Sequence, residues 1–145
     1  MVEKYIPHRF VKDQTSKSQE IADWMSYPVI NVDAAFTVKE TAQLMHDKNI
    51  GSVVVEKNSE YVGIVTETDL TRKVLLQDLC PNTSRVSEIM TQPIISLDCH
   101  LPVTEANAYM AKKKMRHLAI TDNGKIVGMI SVRDLVSFFA NPRFR

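Results

Sequence analysis

The sequence contains the same unit twice. Shifted by 65 residues, the 145-residue chain aligns with itself without a gap, so that Ile21–Leu70 falls on Val86–Leu135. Two copies are too few for a solenoid, which needs about three or more repeats. We therefore expect a pseudo-symmetric pair of units that bury one shared surface. The identical pairs include Met25/Met90, Pro28/Pro93, Ile30/Ile95, Asp33/Asp98, Glu40/Glu105, Gly63/Gly128, Asp69/Asp134 and Leu70/Leu135.

Each unit is predicted to follow the order β-α-β-β-α. Apolar runs at 28–32 and 93–97 begin with a proline and favour a first strand. Thr37 and Glu40 have the spacing of a capping box, which starts a helix. Pro102 takes the matching place in the second unit, where its missing amide proton does little harm. The later strands are predicted at 52–56, 61–66, 117–121 and 126–131, and the last helices at 69–79 and 134–140.

The predicted domain organisation is an N-terminal arm, two repeats joined by a short linker, and a C-terminal tail. These parts are 1–20, 21–80, 81–85, 86–141 and 142–145. The arm is polar and either closes over a site or stays disordered. Its basic residues are Lys4, His8, Arg9 and Lys12.

Composition argues against several classes of protein. The formal charge is +1, from 18 Lys and Arg against 17 Asp and Glu, which gives no electrostatic footprint for nucleic acid or an acidic membrane surface. No apolar stretch approaches the roughly 18 residues of a membrane span, and the N-terminal segment lacks the apolar core of a secretory signal.

Cys80 and Cys99 have no metal or redox spacing. We expect two free thiols in a reducing cytoplasm, with a disulfide between them left open. The histidines show no metal-binding spacing either.

One short motif occurs in both units, GIVTETDL at 63–70 and GMISVRDL at 128–135. In each copy a Ser or Thr precedes an Asp by three residues, where a predicted strand meets a predicted helix. The pattern is a capping box, and capping alone would explain it. It also suits a ligand: the glycine lets backbone or ligand approach, a helix N-terminus attracts phosphate, and a carboxylate accepts hydrogen bonds from ribose hydroxyls. The residues leave both interpretations open.

The whole repeat resembles the cystathionine-β-synthase-type (CBS) domain, here as a stand-alone tandem pair, also called a Bateman module. The resemblance covers 21–140. The runs that carry it are WMSYPVINV, TVKETAQLM, IGSVVV and YVGIVTETDL in the first unit, and IMTQPIISL, PVTEANAYM, MRHLAI and IVGMISVRDL in the second. It implies an α/β (α+β) fold of two pseudo-symmetric βαββα repeats packed face to face, and a homodimer.

The resemblance also implies a regulatory function without catalysis. CBS pairs commonly bind adenosyl compounds such as AMP, ADP, ATP or S-adenosylmethionine, and no cofactor is required. Such a module would sense energy or metabolic state and transmit it to a separate effector protein, which the sequence does not identify.

The resemblance assigns ligand-binding residues at two sites. In the family the motif Asp holds the ribose, the Ser or Thr contacts phosphate, and the adenine pocket uses residues that precede the first strand of the other repeat. One implied site consists of Ser131, Arg133 and Asp134 with Tyr27 and Pro28. The other consists of Thr66, Thr68 and Asp69 with Gln92 and Pro93.

The two implied sites differ in charge. Arg116 and His117 precede a strand of the second unit, where basic residues of family members commonly reach the phosphate. Arg133 adds a planar donor that suits phosphate. Its place in the first unit is taken by Thr68, which follows an acidic residue. A phosphorylated ligand should therefore prefer the Asp134 site, while the first site stays empty or takes a less anionic ligand such as S-adenosylmethionine.

Two other functions stay open on the sequence. A dimerisation scaffold would keep the motifs only as helix caps and would bind no nucleotide. An enzyme would need a nucleophile, a metal cluster or a catalytic dyad, and the sequence offers none of these in a coherent arrangement.

Overall fold

The structure, a computed structural model, describes residues 17–144. The chain divides into two compact units: unit 1 is Ile30–Ile94, and unit 2 is 17–29 together with 95–144. Each unit thus contains the segment that precedes the first strand of the other repeat. Residues 21–29, which the sequence groups with the first repeat, belong to unit 2. Residues 1–16 of the predicted arm, with Lys4, His8, Arg9 and Lys12, lie outside the described residues, as does Arg145.

Unit 1 contains a three-stranded mixed sheet. Its elements are β1 (Asn31–Asp33), α1 (Val38–Lys48), β2 (Ser52–Lys57), β3 (Glu60–Thr66), α2 (Glu67–Asp69), a π-helix (Leu70–Leu75) and a 3₁₀ turn (Val86–Glu88). The strand order is β1-β2-β3, with β1 and β2 parallel and β2 and β3 antiparallel. This confirms the predicted βαββα order for the first repeat.

Unit 2 repeats the same topology. Its elements are a 3₁₀ turn (Ile21–Asp23), β4 (Ser96–Asp98), α3 (Val103–Lys113), β5 (His117–Asp122), β6 (Lys125–Ser131), α4 (Val132–Ala140) and a second 3₁₀ turn (Pro142–Phe144). The strand order is β4-β5-β6, again parallel and then antiparallel. None of the helices within 17–144 has the length and hydropathy needed to cross a membrane.

Local signals explain where the helices begin and end. Thr37 Oγ1 accepts a hydrogen bond from the Glu40 amide, and the Glu40 carboxylate accepts one from the Thr37 amide, so the predicted capping box is confirmed. The hydrogen bond from the Thr37 amide to the Glu40 carboxylate is the main cause that holds the pKa of Glu40 below its ordinary value. Pro102 is the N-cap of α3. Helices α1 and α3 stop at residues with left-handed backbone, Asn49 and Lys114, a common helix ending.

The last helix of unit 1 departs from the prediction. The sequence favours a regular helix over 69–79, whereas the structure has three α-helical residues followed by π-helical winding over Leu70–Leu75. The wider winding persists just beyond, where the Leu79 amide donates to Val74 O at 3.1 Å. Apolar residues three and four positions apart fit α-helical winding, so this pattern did not predict the π-helical hydrogen bonds, which join residues five apart.

Each unit has its own hydrophobic core. The valines 53–55 of β2 are fully buried in unit 1, and 118–120 of β5 are fully buried in unit 2. The core of unit 2 is also aromatic, because the Trp24 ring lies edge-on to Phe138 at a centroid distance of 5.2 Å and to Phe144 at 5.9 Å.

Candidate functional site

The glycine of the second motif lets another segment of unit 2 lie against β6. The Ser26 amide donates to Met129 O at 2.8 Å, and the Met129 amide donates to Ser26 O at 3.0 Å. A Cβ on Gly128 would lie 2.6 Å from Ser26 O, which is too close for a side-chain carbon. The sequence left open whether backbone or ligand approaches this glycine, and the structure shows backbone.

Unit 1 repeats this arrangement, but the atoms nearest to its glycine belong to a side chain. Ile64 and Thr91 form the equivalent pair of backbone hydrogen bonds, at 3.0 and 2.8 Å. A Cβ on Gly63 would meet the side chain of Met90, with Sδ nearest at 2.7 Å. The obstacle here is a flexible side chain rather than backbone.

Replacing Gly128 by alanine is therefore expected to destabilise the protein more than replacing Gly63 by alanine. Overpacking typically costs about 1–3 kcal/mol. We expect the upper half of that range at Gly128, because its new methyl group meets a hydrogen-bonded backbone oxygen, and the lower half at Gly63, because Met90 can change rotamer. Urea denaturation of the two variants measures the difference, and equal losses would contradict this reading of the contacts.

Ser131 and Asp134 form the helix cap that the sequence predicts. Asp134 Oδ2 accepts hydrogen bonds from the Ser131 amide at 2.7 Å and from Ser131 Oγ at 2.9 Å, and Ser131 Oγ accepts the Asp134 amide at 3.4 Å. No residue within 17–144 donates a hydrogen bond to Asp134 Oδ1. The side chain is half-buried. One oxygen of this carboxylate can thus bind a ligand while the other caps the helix.

Basic residues lie beside this cap. His117 and Ser131 are directly opposite each other in the pairing of β5 with β6. The Val132 amide donates to Arg116 O at 3.0 Å. Arg116 is exposed, and so is Arg133, which follows in the first turn of α4. The structure thus brings the predicted phosphate contacts Arg116 and His117 to the strand end that carries Ser131, and a helix N-terminus with cations nearby suits an anion.

Tyr27 and Pro28 lie in the same unit as Asp134. They directly follow Ser26, whose backbone is bonded to Met129 of β6. Tyr27 is 36% exposed, and the Tyr27–Pro28 peptide bond is cis. The structure therefore places Tyr27 directly after the segment whose backbone is bonded to the strand of the second motif.

In unit 1 the equivalent carboxylate is engaged by the chain itself. Asp69 is only 7% exposed. Its Oδ2 accepts hydrogen bonds from the Thr66 amide at 3.0 Å and from Thr66 Oγ1 at 3.2 Å. Its Oδ1 accepts one from Thr91 Oγ1 at 3.1 Å and forms an ion pair with Lys73 Nζ at 2.9 Å. Both oxygens of Asp69 are thus occupied, unlike those of Asp134.

Sequence reasoning missed Lys73 and Thr91. The spacing of Asp69 and Lys73 is i,i+4, which is a recognisable signal for an ion pair on a helix. No comparable signal points to Thr91, because 22 residues separate it from Asp69. Its approach depends on how the segment before β4 pairs with β3.

The other predicted residues of the first site lie on the surface. Thr68, Gln92 and Pro93 are all exposed, and the Gln92–Pro93 bond is cis. Gln92 follows Thr91, so the structure brings its segment to the Asp69 motif. Opposite Thr66 in the β2–β3 pairing stands Ser52, where unit 2 has a histidine. The only side chain that brings positive charge onto the Asp69 carboxylate from within 17–144 is the lysine already described.

Asp98, Cys99 and His100 hold potential metal ligands within 4.8 Å of one another, a group that the sequence did not predict. Cys99 is fully buried in the core of unit 2. The ring nitrogens of His100 lie 3.6 Å from the Asp122 carboxylate and 3.9 Å from that of Glu20. Partners within the chain therefore account for this group.

Comparisons with known proteins agree with this topology. The family model described as CBS domain matches residues 21–76 and 86–141. An uncharacterized protein of Methanopyrus kandleri is 35% identical over 122 residues, which cover 83% of this chain and 62% of that protein. A CBS-domain structure from Burkholderia ambifaria MC40-6 has 37% identity and a TM-score of 0.75, over 81% of this chain and 87% of that chain.

A third comparison concerns a structure with ligands. The CBS domain pair of protein MJ0100, in complex with 5′-methylthioadenosine and S-adenosyl-L-methionine, has a TM-score of 0.74 over 83% of this chain and 94% of that chain. Its 24% identity supports the fold alone. The chain spans less than two thirds of the length of the first curated relatives that it matches. Because the CBS domain model matches twice and the two matches span more than half of its length, the chain belongs to the CBS domain family, as a tandem pair.

Proposed function

We propose that this CBS pair binds an adenosyl ligand at the Asp134 motif and transmits its occupancy to a separate effector protein. CBS pairs are regulatory modules, and the proposal involves no bond made or broken. The observation that carries it is the Asp134 carboxylate, in which Oδ2 caps α4 while Oδ1 has no partner among residues 17–144. An acidic oxygen in this position can accept hydrogen bonds from ribose hydroxyls.

The surrounding charge supports a phosphorylated ligand, AMP, ADP or ATP. Arg116 and Arg133 are exposed near the N-terminus of α4, and a guanidinium can bind phosphate through two parallel hydrogen bonds. Ser131 and His117 supply further polar groups at the same strand end. S-adenosylmethionine has no phosphate and would leave these cations unused.

The adenine ring is proposed to lie against Tyr27 and Pro28. Both residues belong to unit 2 and follow the backbone bridge between Ser26 and β6. An aromatic ring next to a proline offers the apolar surface on which a flat base can stack. The ligand would then contact two segments of the chain, so its binding energy can favour one of their arrangements over another.

Isothermal titration of the purified protein with AMP, ADP, ATP and S-adenosylmethionine tests the proposal. We expect heat of binding with at least one adenine nucleotide and a weaker response to S-adenosylmethionine. A ligand at 100 times its Kd should stabilise the protein by about 2.7 kcal/mol, which a thermal shift would detect. The proposal would be overturned if none of the four ligands at millimolar concentration produced either heat of binding or a thermal shift.

A dimerisation scaffold is the second candidate function. Both motifs are complete capping boxes without any ligand. Each unit also exposes large apolar side chains, which are Leu75 and Leu76 in unit 1 and Val136 and Phe139 in unit 2. We propose that these residues contribute to a homodimer. A stable dimer with no response to any nucleotide would favour the scaffold alone.

The proposed function needs neither a cofactor nor a disulfide. Cys80 and Cys99 are both free thiols. This supports a reducing compartment such as the cytoplasm.

A further inference from the structure

We propose that Lys73 closes the first of the two motifs, so that the chain binds one adenosyl ligand rather than two. The inference rests on the proposed function, because it concerns the same type of site. In unit 1 the ammonium group of Lys73 takes the place at Asp69 that ribose hydroxyls would need.

The Asp69 carboxylate is saturated by donors from its own unit. Thr66 supplies two hydrogen bonds to Oδ2, while Lys73 Nζ and Thr91 Oγ1 lie 2.9 and 3.1 Å from Oδ1. A ribose would bring two hydroxyl donors to such a carboxylate. The chain already supplies an ammonium and a hydroxyl at the one oxygen that is not committed to the helix cap.

A ribose cannot displace Lys73 without loss. The ammonium also donates to Ile89 O at 2.8 Å and lies 3.3 Å from Thr91 Oγ1. Its side chain is 34% exposed, whereas that of Asp69 is 10% exposed. Charge-assisted hydrogen bonds are roughly twice as strong as neutral ones. Exchanging the ammonium for a hydroxyl would therefore leave a nearly buried carboxylate without its counter-ion.

Unit 2 shows what an open motif requires. At the position that matches Lys73 in the 65-residue register stands Phe138, which has no donor. Its ring is buried and packs against Trp24 and Phe144. No side chain from the helix therefore reaches the carboxylate of Asp134, and its Oδ1 is left for a ligand.

The test uses the full chain with Asp134→Asn, which removes the proposed second site, and equilibrium dialysis with adenosine as the probe. Adenosine needs no phosphate-binding cations, which unit 1 lacks at its strand end. We expect no binding by Asp134→Asn alone and one adenosine per chain after adding Lys73→Met. The added site should disappear again with Asp69→Asn. Lys73→Arg, which keeps a cation, is the matched control and should bind none.

Three results would overturn the inference. The first is one adenosine bound by the Asp134→Asn chain and lost on adding Asp69→Asn, since the motif would then already be open. The second is a folded Asp134→Asn, Lys73→Met chain that still binds none. The third, which decides if that chain does not fold, is a fall in nucleotide stoichiometry when Asp69→Asn is made alone, since this would show a working first site. An unmodified chain that binds no nucleotide refutes the proposed function, whereas adenosine binding gained with Lys73→Met would still support the closure.

Discussion

Asparagine in place of Asp134 is expected to weaken adenine nucleotide binding by about 100-fold or more. The reason is that hydrogen bonds to a charged group are worth about 1.5–3 kcal/mol each, and every 1.4 kcal/mol is about tenfold in Kd. Asparagine keeps the size of the side chain and an acceptor oxygen for Ser131. It removes the negative charge that makes two ribose hydrogen bonds strong. Titration with AMP and ATP measures the loss of affinity.

The matched control is Asp69→Asn. Both carboxylates belong to equivalent capping boxes, with Thr66 and with Ser131, so any general loss of helix capping should affect both variants. Only the Asp134 variant should lose the ligand, since Asp69 is held by Lys73 and Thr91. Unchanged affinity in Asp134→Asn, or an equal loss in both variants, would show that the second motif is not the ribose site.

The parts of the fold that depend on neighbouring residues were predictable from the sequence. The capping box at Thr37 and Glu40, the two hairpins and the βαββα order all follow from patterns within a few residues. The caps at Thr66 and Ser131 are equally local. The register of 65 residues then made the two copies equivalent without any knowledge of tertiary structure.

The parts that depend on distant contacts were not predictable in this way. The linear pattern places residues 21–29 with the first repeat, although they pair with β6 of the second. Nothing local marks Gly128 as the point where Ser26 approaches, or Thr91 as a partner of Asp69. The contact of Thr91 with Asp69 helps to decide which carboxylate is open, so the sequence alone predicted only part of the candidate site.

Alanine in place of Trp24 is expected to remove about 3–5 kcal/mol from the free energy of unfolding. Trp24 is 8% exposed, and its Nε1 donates to Ser18 O at 2.8 Å. It lies edge-on to Phe138 and Phe144 in the core of unit 2. A loss of this size is a large share of a typical domain stability of about 5–15 kcal/mol, and urea denaturation measures it.

The location of the damage tests how the chain is divided. Trp24 belongs to the first repeat in sequence but packs with the second sheet, so hydrogen exchange should lose protection in β5 and β6 while β2 and β3 keep theirs. Ile89 stands 65 residues later and is fully buried in unit 1. Ile89→Ala should therefore give the opposite pattern, with protection lost in β2 and β3.

If Trp24→Ala instead exposed the amides of unit 1, the division of the chain into these two units would be wrong. The segment that carries Tyr27 would then have no reason to lie beside Asp134, and the adenine contact proposed for the second motif would lose its support.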